Sequence, residues 1–332
     1  MAVNPAQNAS KSTMTVAELP SLPLRVAQAS DAAAGIRQFE LRARDGGELP
    51  EFTPGSHISV QTPNGMIRKY SLCNDPTERD RYVIAVLREA RGRGGSVSMV
   101  DGVKEGDEIL ATPPRNDFPL VTSPAGYTFI AGGIGITPIL SMMRHLKSSG
   151  GPKFKLYYCT RTKEQTAFRE ELLAPQFRGQ VVMHHDGGDL GKALDLWPAL
   201  ENPKGHVYCC GPRGLMDSVR DMAGHWNASN VHFEAFSDTE SHKPNDHAFR
   251  VKLASSGLVL DVPADKTILE TIRAAGHDAP SSCESGTCGT CKTTLLEGVA
   301  DHRDLVLTER ERRTNIMICV SRAKSDEITI DR

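Results

Sequence analysis

Cys283, Cys288 and Cys291 stand in a C-x4-C-x2-C run, Cys283-Glu284-Ser285-Gly286-Thr287-Cys288-Gly289-Thr290-Cys291, and a further cysteine, Cys319, lies downstream. This is the ligand spacing of a plant-type [2Fe–2S] cluster, in which deprotonated sulfur holds the iron and one electron is carried at a time. Gly286 and Gly289 would let a short loop wrap closely around such a group, with φ values that other residues resist. Cys319 sits in the apolar run Ile316-Met317-Ile318-Cys319-Val320, expected to be a buried strand. The competing chemistry is zinc. Structural zinc sites present two C-x2-C pairs or a mixed Cys/His set, whereas this loop has one tight pair, an extra cysteine and no second pair. The spacing favours the cluster.

Two further constellations suit nucleotides. Ala131-Gly132-Gly133-Ile134-Gly135-Ile136-Thr137-Pro138 joins an apolar strand to a helical pattern. Thr137 is expected as N-cap, and Pro138 falls where a missing N–H costs nothing. Gly133 and Gly135 would admit a pyrophosphate to backbone N–H groups at the positive end of a helix. The run is not G-x-G-x-x-G, so its ligand rests on context. Arg68-Lys69-Tyr70-Ser71-Leu72 combines a cation, a ring and a hydroxyl, the mixture a flavin needs for its phosphate and isoalloxazine. Arg91-Gly92-Arg93-Gly94-Gly95-Ser96 follows a strand, and its glycines, arginines and serine cap suit a terminal phosphate. Cys209-Cys210-Gly211-Pro212 closes a later strand, where Cys210 either faces a nicotinamide or is a small buried hydrophobe. His184 and His185 are adjacent on a strand and point to opposite faces, so they do not chelate one ion as a pair.

The elements that must position these groups change character along the chain. Residues 1–20 are polar and alanine- or serine-rich and are expected to be a frayed tail. Residues 21–122 alternate in short runs such as His57–Gln61 and Tyr82–Leu87, broken by glycine and proline, as in a small antiparallel barrel. Over 123–236, strands at Tyr127–Ala131, Lys155–Cys159, Gln180–His184 and His206–Cys210 alternate with helical patterns at 138–147 and 164–173. That alternation implies a parallel, doubly wound α/β domain. A polar, proline-containing linker is expected at 237–247. Residues 248–332 carry a hairpin (249–262), a short helix (267–275) and the cysteine loop, an α+β plant-type ferredoxin domain in outline.

The chain has 332 residues, 39% hydrophobic and 24% charged, with a formal net charge of −2 and eight cysteines. That length calls for two or three domains. The charge gives no reason to expect nucleic acid or a membrane surface. No apolar stretch approaches the roughly 18–20 residues that span a bilayer, and the first residues lack a secretory pattern. Cysteines without export point to a reducing cytoplasm.

Taken together, Arg68–Asp75, Gly92–Ser96, Gly132–Met142, Val207–Asp217, Val231–Phe236, Ser281–Lys292, Asp301–Asp304 and Cys319–Ser325 resemble the phthalate dioxygenase reductase family, within the wider ferredoxin–NADP⁺ reductase superfamily. The resemblance runs from about Leu24 to the C-terminus. It implies FMN as the flavin and NADH as donor. Arg68 and Ser96 would contact the FMN phosphate end, with Gly94 and Gly95 in the same loop. Tyr70 and Ser71 would line the isoalloxazine, Ser71 near N5, with Leu72 next to them among the cofactor-binding residues. Gly133, Gly135, Thr137, Pro138, Cys210, Gly211 and Pro212 would place the nicotinamide nucleotide, with Phe236 shielding the flavin and Glu234 beside it. Thr160 and Arg161 would border the ribose, where Arg161 and Lys163 could take a 2′-phosphate, which leaves NADPH open. The implied activity is hydride transfer from NADH to FMN, then single electrons through the cluster to a Rieske-type terminal oxygenase, with the chain a monomer. The alternatives are an FAD- and NADPH-dependent reductase serving a monooxygenase or ferredoxin-type acceptor, a non-catalytic redox sensor, and a zinc-stapled interaction protein.

Overall fold

Alternation of inward apolar and outward polar residues builds the first unit. β1 (Leu22–Ala33), β2 (Ile36–Ala43), β3 (His57–Gln61), β4 (Ile67–Ser71), β5 (Tyr82–Leu87) and β6 (Glu108–Ala111) form one antiparallel sheet in the order β4-β3-β6-β1-β2-β5. A bridge between Leu72 and Ile84 brings the end of β4 beside β5, so the sheet curls toward closure. Leu24, Val26, Phe39, Leu41, Ile58, Val60, Ile84 and Val86 fill the interior. The computed structural model describes residues 20–90, 92–236, 243 and 245–332. The expected tail (1–20), apart from its last residue, much of the expected linker (237–247) and Arg91 lie outside the described residues.

The second unit is a parallel sheet of β7 (Tyr127–Gly132), β8 (Phe154–Thr160), β9 (Val181–His185), β10 (His206–Cys210) and β11 (Val231–Glu234), in the order β11-β10-β7-β8-β9. The helices are α1 (Gly95–Gly102) on the barrel and α2 (Ile136–Ser148), α3 (Arg169–Leu173), α4 (Trp197–Leu200) and α5 (Arg213–Met222) on the second unit. The strand order reverses between β7 and β10, and crevices at such switch points take ligands in doubly wound folds. α3 is shorter than the expected 164–173 helix, because Phe168 adopts a left-handed φ of 57° at its start. That conformation breaks an α-helix.

β5 joins the two units. Its Ile84 and Val86 face the barrel interior, while Val83 and Ala85 on the opposite face belong to the core of the parallel sheet, as a two-residue side-chain period requires. Tyr208 Oη donates to Pro119 O at 3.0 Å and Arg144 Nη1 to Cys73 O at 2.8 Å across the same junction.

The third unit comprises β12 (Phe249–Leu253), β13 (Val259–Val262), α6 (Ile268–Ala274), β14 (Lys292–Glu297), β15 (Ala300–Asp301), β16 (Asn315–Met317), β17 (Arg322–Ala323) and β18 (Glu327–Ile330), with the sheet order β13-β12-β18-β14-β16 and a separate β15-β17 pair. A reciprocal capping box starts α6: Glu270 N donates to Thr267 Oγ1 at 3.1 Å and Thr267 N to Glu270 Oε2 at 2.8 Å. The expected strand through Cys319 ends early. β16 stops at Met317, and Ser321 N reaches back to Met317 O at 2.9 Å, so Cys319 lies on a buried turn. Among the described residues no helix is long and apolar enough to cross a membrane.

Candidate functional site

Along β4, side chains alternate. Tyr70 leans against the barrel core, whereas Lys69 and Ser71 face the second and third units. Arg68 lies over the start of α1, where a Cβ on Gly95 would stand 3.0 Å from its Nε. Gly94 is the N-cap of α1 in a left-handed conformation, φ 87°. An arginine set on the free N–H groups of a helix start is a ready seat for a phosphate. Tyr70 Oη is buried without a hydrogen-bond partner, and burial pushes its pKa up to about 12. A buried hydroxyl left in that state is a donor awaiting a ligand acceptor. These residues fit a flavin.

Two expected roles here are corrected. Ser96 does not cap α1: it lies inside the first turn, and its Oγ accepts from Glu89 N at 3.1 Å, tying the preceding loop down. Leu72 is fully buried in the barrel core and its N–H is bonded to Ser56 O at 2.8 Å, so its side chain lines no cleft.

At the switch point, the glycines prove to be packing residues. A Cβ on Gly135 would meet Cys210 O at 2.1 Å, and one on Gly211 would meet Gly132 Cα at 2.9 Å. The turns after β7 and β10 therefore touch backbone to backbone. Gly133 alone in that run has a positive φ, 52°, and a Cβ there would meet nothing, which leaves it as the glycine a pyrophosphate could approach. Thr137 is not the N-cap. α2 begins at Ile136 with Gly135 as cap, and Thr137 Oγ1 turns back to donate to Ile134 O at 3.0 Å. Pro138 remains in the first turn, where its missing N–H is harmless. Pro212 caps α5. Thr160 is buried with its hydroxyl shared among Thr162 O, Thr166 Oγ1 and His185 Nδ1, while Arg161 is exposed beside Gly188.

Glu234 ends β11 opposite Cys210 in the register. Ser71 Oγ approaches its Oε2 at 3.5 Å, a long contact. The residue keeps some solvent access at the cleft, yet its carboxyl group is ringed by protein. Burial, then the nearby Asp117 carboxylate and the Cys283 sulfur, push its pKa up to about 8, against the opposing pull of Lys69 and Ser71. Cys210 is fully buried, and burial, with Glu234 next, holds its thiol well above the ordinary range. Phe236, two residues beyond β11, is 46% exposed.

The cysteine loop meets this cleft from the third unit. Cys283 lies beside Cys288, whose Sγ is 3.5 Å from Cys283 N, and Cys291 lies beside Cys319, all four thiols being free. Among the described residues no three ligand-type side chains gather round a single point. Two adjacent thiol pairs are the arrangement a two-iron cluster asks for. Ser285 N and Thr287 N point at Cys283 Sγ at 3.4 and 3.5 Å, the N–H···S pattern that stabilises thiolate and tunes a cluster. Gly286 and Gly289 have φ of 74° and 83°, and a Cβ on Gly286 would stand 2.7 Å from Val320 Cγ2. The residues fit a [2Fe–2S] cluster.

Sequence reasoning missed Lys69, Asp117, His57 and Ser282, which gather between β4 and the cysteine loop. Lys69 shares a strand face with Ser71, a signal that a period of two provides. Asp117 is on a loop without a motif and had no signal.

Comparison with known proteins agrees with this architecture. Residues 129–221 match the oxidoreductase NAD-binding domain family and residues 251–324 the 2Fe-2S iron-sulfur cluster binding domain family. The chain is 54% identical to the phthalate 4,5-dioxygenase oxygenase reductase subunit of Pseudomonas putida, over 93% of this chain and 96% of that one. It is 51% identical to phthalate dioxygenase reductase of Burkholderia cepacia, over 93% and 97%. A solved phthalate dioxygenase reductase, described as a modular structure for electron transfer from pyridine nucleotides to [2Fe-2S], superposes with a TM-score of 0.70 at 50% identity, covering 94% of this chain and 98% of that one. With a flavin-type barrel, an NAD-binding sheet and a [2Fe–2S] loop meeting at one cleft, the chain belongs to the phthalate dioxygenase reductase family of oxidoreductases, the reductase components of oxygenase systems.

Proposed function

We propose that this chain, acting as a monomer, takes electrons from NADH in preference to NADPH and delivers them through FMN and a [2Fe–2S] cluster to a Rieske-type terminal oxygenase acting on an aromatic substrate of the phthalate kind. The observation that supports it best is the convergence of Ser71 at the end of β4, Glu234 at the end of β11 and the Cys283 loop on one cleft. In this reading residues 21–122 hold the flavin, 123–236 the nicotinamide nucleotide and 248–332 the cluster.

When bound, the flavin accepts a two-electron hydride and returns the electrons singly, the conversion between a nicotinamide donor and a one-electron cluster. Arg68 and the N–H groups at Gly95 and Ser96 would hold its phosphate, and Tyr70, whose buried hydroxyl lacks a protein partner, would border the ring system. Ser71 and Glu234 would stand on the reacting side, where burial, raising the Glu234 pKa to about 8, favours the uncharged carboxyl beside an incoming anionic donor. Gly133 and the start of α5 would seat the pyrophosphate, the turn after the buried Cys210 would border the nicotinamide, and the exposed Phe236 would stand near the flavin. A Rieske partner fits energetically, since such centres lie at about −150 mV or above, against about −400 mV for plant-type clusters.

The test is an anaerobic titration of the purified protein with NADH and, separately, NADPH, followed by identification of the released flavin and addition of an oxidised Rieske oxygenase. Bleaching of flavin and iron–sulfur bands by NADH, recovery of FMN and reoxidation by the oxygenase are expected. A colourless protein overturns the whole reading, and reduction by NADPH alone overturns the donor.

A further inference from the structure

Among the described residues, Lys69 and Asp117 of the barrel meet Ser282 of the third unit through polar groups, beside the first cysteine of the cluster loop. Lys69 Nζ on β4 donates to Ser282 O at 3.0 Å, and Ser282 Oγ donates to Asp117 Oδ1. Lys69 Nζ also lies 3.9 Å from Asp117 Oδ2. Ser282 immediately precedes Cys283, so these contacts fix where the first cluster ligand stands relative to Tyr70 and Ser71.

Both sides are preorganised. Asp117 is held between Asn116, whose Nδ2 donates to Thr53 Oγ1 at 2.7 Å and Pro54 O at 2.9 Å, and Phe118, which is buried in the core. Phe118 O in turn abuts Gly55, where a Cβ would come within 2.0 Å. On the other side, Arg273 of α6 donates to Glu284 Oε1 at 2.7 Å, and Ser281 Oγ donates to the same oxygen at 2.7 Å. A hydrogen bond between two such fixed supports loses little side-chain entropy when it forms, unlike an isolated surface pair. His57 stands beside the group, its pKa pushed down by burial and then by Lys69.

We propose that Lys69, Asp117 and Ser282 form a polar clamp that docks the cluster loop against the flavin strand, making them positioning residues for electron passage from flavin to cluster. The inference rests on the electron-transfer reading above. The clamp exchanges no atoms or electrons itself. It sets the fraction of molecules in which the loop is seated, and removing a charge-assisted hydrogen bond from a seated pair lowers the seated-to-released ratio by about tenfold or more.

The experiment is stopped-flow reduction of the holoenzyme by NADH, with flavin and iron–sulfur bands followed separately, on wild type, Asp117→Ala, Lys69→Ala, Ser282→Ala and Ser282→Thr. Hydrogen–deuterium exchange of segments 115–119 and 281–287 is measured in parallel. The flavin band is expected to bleach at the wild-type rate in Ser282→Ala and Ser282→Thr, which leave the charged groups around Glu234 in place. The cluster band slows in the two alanine variants at Asp117 and Ser282, by a factor that reaches about tenfold where the released form comes to predominate, less in Lys69→Ala, and recovers in Ser282→Thr, which keeps the hydroxyl. Exchange in both segments quickens wherever the cluster band slows. Unchanged cluster rates with unchanged exchange, or flavin and cluster bands slowing together in Ser282→Ala, overturn the clamp. If NADH bleaches neither band in wild type, the functional reading fails and the exchange data alone decide the clamp.

Discussion

At Gly135 the nearest atoms a Cβ would meet are Cys210 O at 2.1 Å, Cys210 C at 2.4 Å and Gly211 N at 2.8 Å, all backbone. None can swing aside as a side chain would, so Gly135→Ala must part the turns after β7 and β10. Overpacking of that kind costs about 1–3 kcal/mol, and here it also opens the nucleotide crevice. Thermal unfolding should show the loss of stability, and NADH titration a weaker affinity. Gly133→Ala meets open space but keeps a positive φ, so about 1 kcal/mol of backbone strain is expected together with weaker NADH binding. Glu234 offers a pH test. Its folded pKa of about 8 lies above the ordinary 4.5, so the native state binds the extra proton between those values. Its contribution to stability is fully present below pH 4.5 and is lost as pH rises through 8. Glu234→Gln, which stays uncharged, should flatten the decline of the urea midpoint over that window. An unchanged slope would mean that the carboxyl group is ionised in the folded protein at neutrality.

Among the elements, the β15–β17 pair is stapled by charge. Arg303 and Arg322 are almost wholly buried, and Asp246 lies between them: Arg303 Nη1 donates to Asp246 Oδ2 at 2.8 Å, and Arg303 Nε to Asp301 Oδ2 at 2.8 Å. Arg322 adds donations to His247 O and Pro263 O at 2.9 Å and stacks over Phe249. The Arg303 guanidinium, working against burial, holds the Asp246 pKa down to about 2, so its contribution is present above 3.8 and is lost as pH falls through 2. Asp246→Asn leaves two buried cations short of a counter-charge and should destabilise this unit by about 3 kcal/mol, read from the urea midpoint of the iron–sulfur absorbance. Little of this network was legible in the sequence, because its members are 57 residues apart at Arg303 and Asp246. What was legible is local: the strand–helix alternation of the parallel sheet, the hairpin at 249–262 and the helix after Thr267. Thr137 and Ser96 look like caps, but a hydroxyl near a helix start has several backbone partners within reach, and only the folded chain chooses. Likewise the apolar run around Cys319 reads as strand because burial and strand share a composition, whereas the thiol needs a turn to stand beside Cys291. The contact of Asp117 with Ser282 spans 165 residues, and no periodicity encodes it.

On the scale of the whole molecule, the hydrophobic cores divide unevenly among the three units. One cluster runs from Ile36, Cys73, Val83, Ala85 and Phe118 of the barrel into Phe129, Ile139, Met142 and Tyr158 of the parallel sheet. The third unit buries Phe249, Val251, Ile268, Ile316 and Ile330 among its own residues. Among the described residues its links to the rest are chiefly polar, the Lys69–Ser282–Asp117 group and the donation of Arg213 to Arg303 O at 2.7 Å, with Leu305 packed into the neighbouring core. A shared core makes two sheets melt together, whereas a small polar junction leaves its partners independent. Calorimetry of the intact protein should therefore resolve two transitions, not three. Removing the cluster should lower the transition of residues 248–332, the unit that matches the 2Fe-2S cluster binding domain, and leave the other in place. Added FMN or NADH should raise only the transition of the barrel and parallel sheet, by an amount that grows with the logarithm of ligand concentration. One transition that shifts as a whole under both treatments would show that the polar junction couples all three units, and the clamp would then be a folding contact of the entire chain.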